Sequence, residues 1–134
     1  MAIPIKKEKT KVERLIKTVW RKTDKGKAIK KPEEKNLIFA ITGVLFLLEI
    51  YDRMNGTGHK DFFIKRYLSL HNGMTQIEIS SKFGVCKDTI GDYCVMYIQV
   101  FGECLDVVEI INKKLDNSSG NPLETVIKIL LLDL

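Results

Sequence analysis

The stretch "MTQIEISSKFGVCKDTIGDY" (74–93) decides how this chain is read. Thr75 and Glu78 stand at the T-x-x-E spacing of a capping box. In that motif the hydroxyl accepts from an N–H at the helix start, and the carboxylate reaches back to the Thr N–H. A short helix over about 75–83 is expected, Gly84 breaks it, and a longer helix begins near Cys86. Two helices that cross steeply over a tight turn need a small residue where they approach and apolar anchors on both sides. Ser80 is the small residue and Gly84 makes the turn. Ile79, Phe83, Val85, Ile90 and Tyr93 supply the anchors.

Around this unit the apolar residues recur at helical spacing and few segments alternate with period 2, so an all-α fold is expected. Residues 8–21 carry apolar side chains at 12, 15, 16 and 19, and "KTDKGKAIKK" (22–31) reads as a charged linker. Pro32 with Glu33 and Glu34 starts a helix, because Pro suits the first turn and carboxylates suit its positive dipole end. This helix runs to about Met54 and is apolar nearly all round over 37–48, so it is expected at the centre, with "NGTG" (55–58) as its stop. A second core-packing helix is expected over about 61–71, with Asp61 as N-cap and Phe63, Tyr67 and Leu70 on one face, stopped by "NG" (72–73). The helix from Cys86 carries Ile90, Tyr93, Tyr97 and Phe101, with Cys94 alongside, and Gly102 ends or bends it. Leu105, Val108, Ile111 and Leu115 mark a further helix over about 103–116. After the loop "DNSSGNP", a greasy terminal helix is expected over about 122–133. The expected architecture is a helical bundle of six or seven helices. It has a basic arm and linker at 1–31 and a single domain at 32–134 that contains a helix-turn-helix at about 75–97.

Charge is unevenly spread. Residues 1–31 hold twelve Lys/Arg against Glu8, Glu13 and Asp24, whereas the remaining chain holds ten basic and fourteen acidic side chains. A polyanion suits such an arm, since each cation placed on a phosphate releases condensed counterions. The bland alternative is a solubilising tail. Cys86, Cys94 and Cys104 are odd in number and form no CxxC pair, which argues against a disulfide framework or a structural zinc site. No nucleophile–base pair or acid cluster at metal spacing stands out, so no enzymatic activity, metal or cofactor is expected. The strongest apolar run, "NLIFAITGVLFLL" (36–48), has 13 uncharged residues, and a bilayer span needs ~20. The polar, basic N-terminus shows no signal peptide. A cytoplasmic protein without membrane partners is the expectation.

The segment "FFIKRYLSLHNGMTQIEISSKFGVCKDTIGDY" (62–93) resembles the helix-turn-helix of bacterial and phage DNA-binding proteins. It is most similar to region 4 of sigma factors and to sigma-like phage regulators. In those, an aromatic-rich helix with an R-Y step precedes G-x-T-x-x-E-I-A-x-x-L-G-V-S-x-x-T-V. This chain supplies Arg66, Tyr67, Gly73, Thr75, Glu78, Ile79, Phe83, Gly84, Val85, Thr89 and Ile90, across about 32 of 134 residues. Transposase and small-terminase modules share the pattern. The resemblance implies that the helix from Cys86 lies in the major groove of double-stranded DNA, where Lys87, Asp88, Thr89, Gly91 and Asp92 face the bases. It places Thr75 and Gln76 near a phosphate, with Lys65, Arg66 and Lys82 adding backbone contacts. The basic arm adds Lys22, Lys25, Lys27, Lys30 and Lys31 as phosphate contacts. Cys86 stands where such families commonly have Ser, and Gly91 and Asp92 stand where they have Arg, Lys or Ser.

The expected function is therefore sequence-specific DNA binding by a bacterial or phage transcriptional regulator. Its C-terminal helices would form a homodimer or meet another protein, such as RNA polymerase. Two alternatives remain open in the sequence. One is a phage DNA-packaging or recombination subunit that uses the same unit. The other is a protein-interaction adaptor that keeps the helix-turn-helix without reading DNA, a reading that Gly91, Asp88 and Asp92 favour.

Overall fold

In the computed structural model, residues 6–24, 31–69, 74–116 and Leu123 are described. Those residues are all-α and contain no strand. They form α1 (Lys6–Asp24), α2 (Pro32–Asn55), α3 (His59–Phe63) running into a π-helical turn (Ile64–Leu68), α4 (Gln76–Phe83) and α5 (Lys87–Asp116). No helix among them is long and apolar enough to cross a membrane.

The sequence sets the limits of α2 at both ends. Pro32 sits in its first turn with Glu33 and Glu34, and Gly56 closes it in the left-handed region at φ 64°. The Gly56 N–H donates to the Asp52 carbonyl at 2.8 Å, the bond that ends a helix when its last residue needs no Cβ. Leu37, Ala40, Ile41, Val44 and Leu48 form its buried stripe. Contacts with α1, α3 and α5 give α2 the central place expected of it, yet Phe39 and Phe46 are 58% and 65% exposed, so among the described residues one of its sides is left uncovered.

Among the described elements the most extensive pairing joins α2 to α5. The two run antiparallel: Asn112 donates to Asn36 at 2.5 Å at one end, and Tyr97 meets His59, just beyond the end of α2, at the other. Between them Gly43 faces Cys104, and a Cβ added at Gly43 would lie 3.3 Å from the Cys104 Sγ. The missing side chain lets the helices close. The two helices expected over about 86–101 and 103–116 are one helix of 30 residues, which corrects that boundary. Gly102 is buried within it and follows the buried Phe101, so packing holds it helical. The glycine's ~1 kcal/mol penalty is too small to break a helix held from the side.

The helix expected over about 61–71 starts two residues earlier, and Asp61 is not its cap. Asp52, from α2, takes that role. Its carboxylate accepts from the N–H of His59 and of Lys60, each at 2.9 Å, and from the Thr57 hydroxyl at 2.6 Å. These bonds hold the Asp52 carboxyl below its ordinary range even though burial, the largest influence, pushes the other way. Phe63, Tyr67 and Leu68 are buried as the apolar spacing requires. Leu70 and the "NG" stop lie outside the described residues, as do the loop after α5 and all of the expected 122–133 helix except Leu123.

Within the 1–31 segment, α1 is docked on the body. Ile16 and Val19 are buried in the core, and Val12 and Trp20 pack against it. Lys22 reaches Glu34 at 2.5 Å and ties the end of α1 to the start of α2. Buried Glu13 accepts from the Tyr67 hydroxyl at 2.5 Å and from the Arg66 guanidinium at 3.4 Å.

Candidate nucleic-acid interface

α4 and the first turns of α5 are held in place by short-range chemistry. Thr75 accepts from the Glu78 N–H at 3.1 Å, and the Glu78 carboxylate accepts from the Thr75 N–H at 3.3 Å, which completes the capping box. Gly84 ends α4 at φ 67° and donates to the Ser80 carbonyl at 3.0 Å. The Ser80 hydroxyl donates across the turn to the Val85 carbonyl. Gly84, Val85 and Cys86 therefore form a three-residue connection locked from within. Ile79 and Ile90 are buried on either side of it, and Phe83 packs edge-on against Phe62 with ring centres 4.8 Å apart.

The entrance to α4 is clamped as well. The Met74 N–H donates to the Lys65 carbonyl at 2.8 Å, and Arg66 donates to the Met74 carbonyl at 3.0 Å. Arg66 also lies against the Tyr67 ring, and its side chain is only 14% exposed. Burial, the largest influence, works against its charge, but Glu13, Tyr67 and Cys94 together outweigh it and hold the guanidinium above its ordinary value. The same burial, with Cys94 and Glu13 nearby, pushes the Tyr67 phenol well above its ordinary value. This arginine clamps α1 to the start of α4.

The remaining candidates divide by place. Lys87, Asp88 and Asp92 are exposed at the start of α5, while Thr89 and Gly91 are half-buried. A Cβ at Gly91 would sit 3.3 Å from the Gln76 Oε1, so this glycine is a spacer that lets the first residue of α4 close over α5. Lys87, Asp88, Gly91 and Asp92 share a shallow concavity of ≈ 400 Å³ with Gln76, Val95 and Lys9. Thr75 is exposed, but its hydroxyl serves as the α4 cap. Lys65 pairs with Asp61 at 3.3 Å, and the Lys82 ammonium lies 5.8 Å from the centre of the Phe83 ring. Lys22 is paired with Glu34, and Lys31 is exposed where its carbonyl opens α2. Lys25, Lys27 and Lys30 lie outside the described residues.

Lys9 is the residue that the reading of 74–93 missed. Its signal was present, because 9, 13, 16 and 20 fall at helical spacing on the inward side of α1. A lysine at the head of that stripe meets the body of the protein at its rim. Among the described residues no group of three His, Cys, Asp or Glu side chains is placed to hold a metal ion. No family model, curated protein or solved structure matches this chain.

Proposed function

We propose that this chain binds double-stranded DNA through a helix-turn-helix formed by α4, the turn at Gly84 and the start of α5, and acts as a transcriptional regulator. The observation that carries this reading is the shared concave face. Lys87, Asp88 and Asp92 stand outward on the first turns of α5, with Gln76 at the start of α4 and Lys9 from α1 beside them. A helix start carrying one cation and short polar side chains suits the major groove, where base edges offer both donors and acceptors. Lysine accepts no hydrogen bond and suits N7 and O6 of guanine, whereas an aspartate accepts from the N4 amine of cytosine. Thr75 and Gln76 open α4, and the N–H groups of Gln76 and Ile77, which the capping box does not use, favour a phosphate.

The test is selection from a randomised duplex pool with the full chain, followed by sequencing. An enriched motif that fades with Lys87→Ala and Thr89→Ala is the expected result. Asp88 and Asp92 favour a second reading, a protein-docking module, because two carboxylates near a phosphate backbone repel it. Under that reading the pool yields no motif, and the double alanine variant keeps the protein's partner.

A further inference from the structure

The outward side of α1 carries charge of one sign. Lys11, Arg14, Thr18 and Arg21 are exposed and fall on one stripe at helical spacing, opposite the buried Ile16 and Val19. Lys11, Arg14 and Thr18 share a shallow concavity of ≈ 370 Å³ with Thr10 and Leu15. Over residues 9–23 the one acid is Glu13, and it is turned inward onto Tyr67 and Arg66. We propose that this stripe is a second, sequence-neutral site for the phosphate backbone of duplex DNA, separate from the concave face at α4 and α5.

Two observations mark the stripe as uncompensated charge. Arg53, Lys60 and Lys65 each sit on a carboxylate, at 3.0, 3.3 and 3.3 Å, whereas Lys11 and Arg14 have no such partner among the described residues. Beside the stripe, half-buried Lys17 titrates below its ordinary value, through burial first and then through Arg66 and Arg21, against the opposing pull of Glu13 and Cys94. Like charges therefore crowd this side of α1.

The chemistry of the face selects the ligand. A helix that lies on a membrane needs an apolar face to bury, but that of α1, formed by Val12, Ile16 and Val19, is already spent on the protein core. A single strand is held by stacking on aromatic rings, and the sole aromatic residue of α1, Trp20, packs against the core. What remains is cations beside a threonine hydroxyl, groups that hold phosphate oxygens without reading sequence. The stripe runs about 15 Å from Lys11 to Arg21 at the helical rise, and a duplex offers it roughly one charge per 1.7 Å of axis. Glu13 and the Lys22–Glu34 pair fix α1 to the body, so the cations are presented on a rigid support.

Fluorescence anisotropy of the full chain on a labelled duplex of scrambled sequence, from ~50 to 200 mM salt, tests this. Lys11→Gln/Arg14→Gln is expected to reduce the slope of log K against log salt by about 2. Lys11→Arg/Arg14→Lys is expected to keep the wild-type slope. An unchanged slope in the glutamine variant would overturn the proposal and leave a solvated face. So would an equal loss in the charge-conserving variant, because charge would then not be what binds. The site does not rest on the reading of the concave face, and Lys87→Ala/Thr89→Ala, measured in parallel, keeps the two apart. That variant is expected to bind the scrambled duplex with the α1 contribution to the slope intact, whether or not the concave face reads bases. If it alone abolishes binding to the scrambled duplex, the α1 site is overturned and the concave face stands. Capture of the chain by phosphatidylserine vesicles, lost in the glutamine variant and without any duplex binding, would overturn the proposal in favour of a membrane surface.

Discussion

Glu13 shows how much one side chain can hold. It is buried on α1, takes the Tyr67 hydroxyl at 2.5 Å, and faces the largely buried Arg66. Removing one member of such a set leaves the other charge without compensation, which costs about 3–5 kcal/mol. Glu13→Ala is therefore expected to lower the urea midpoint strongly. It should also shift the emission of Trp20, the chain's single tryptophan, as α1 loosens. Glu13→Gln keeps an acceptor for Tyr67 and is expected to cost less. An alanine variant with an unchanged midpoint would mean that α1 is held by Ile16 and Val19 alone. Gly84 acts by a different route. Its φ of 67° is open to glycine and costly for a Cβ. Gly84→Ala is expected to lose about 1–2 kcal/mol in thermal unfolding, even though the added methyl would meet no neighbour within 4 Å.

Among the elements, the junction of α2 and α3 rests on Asp52. Its carboxyl titrates below its ordinary value in the folded state because Thr57, Lys60 and His59 donate to it against the opposing effect of burial. A carboxylate depressed in this way contributes stability that is fully present above its unfolded value, about 3.9. That contribution fades as the pH falls through the lower folded value. The stability gap between wild type and Asp52→Asn is expected to be constant at neutral pH and to close below about pH 4. Urea titrations of both proteins across that range measure it, and a gap unchanged at pH 3 would sink the assignment. This staple also shows why some boundaries were hidden in the sequence. A helix cap is sought next to the helix, but Asp52 caps α3 from seven positions upstream. Thr75 and Glu78 lie three apart and were legible at once. Gly102 misled because a glycine reads as a stop until it is known to be buried. The bare side of α2 was hidden for a related reason: a run that is apolar all round does not say which side finds a partner.

Across the whole molecule, the candidate site is composite, which limits what a single segment could reveal. Residues 74–93 supplied Gln76, Lys87, Asp88, Gly91 and Asp92, whereas Lys9 comes from a helix nearly seventy positions earlier and meets them only after folding. The basic N-terminal segment is thus, in its α1 part, a fixed component of the same face. This makes separable predictions for Lys9 and Lys87. A lysine that sits on a phosphate contributes equally on every sequence, and its removal reduces the slope of log K against log salt by about 1. A lysine that reads guanine contributes about 1–3 kcal/mol of discrimination at one base pair. Placed at the rim of the concavity, Lys9 is expected to behave in the first way, and Lys87, on the first turn of α5, in the second. Lys9→Ala should weaken binding to selected and scrambled duplexes by the same factor and flatten the salt dependence. Lys87→Ala should weaken the selected duplex far more than the scrambled one. Fluorescence anisotropy with both duplexes between ~50 and 200 mM salt measures the two effects. If both variants lower only the salt slope, α5 touches the backbone without reading bases. If neither changes binding, the concave face is not where DNA is held, and the two aspartates beside Lys87 point to a protein partner.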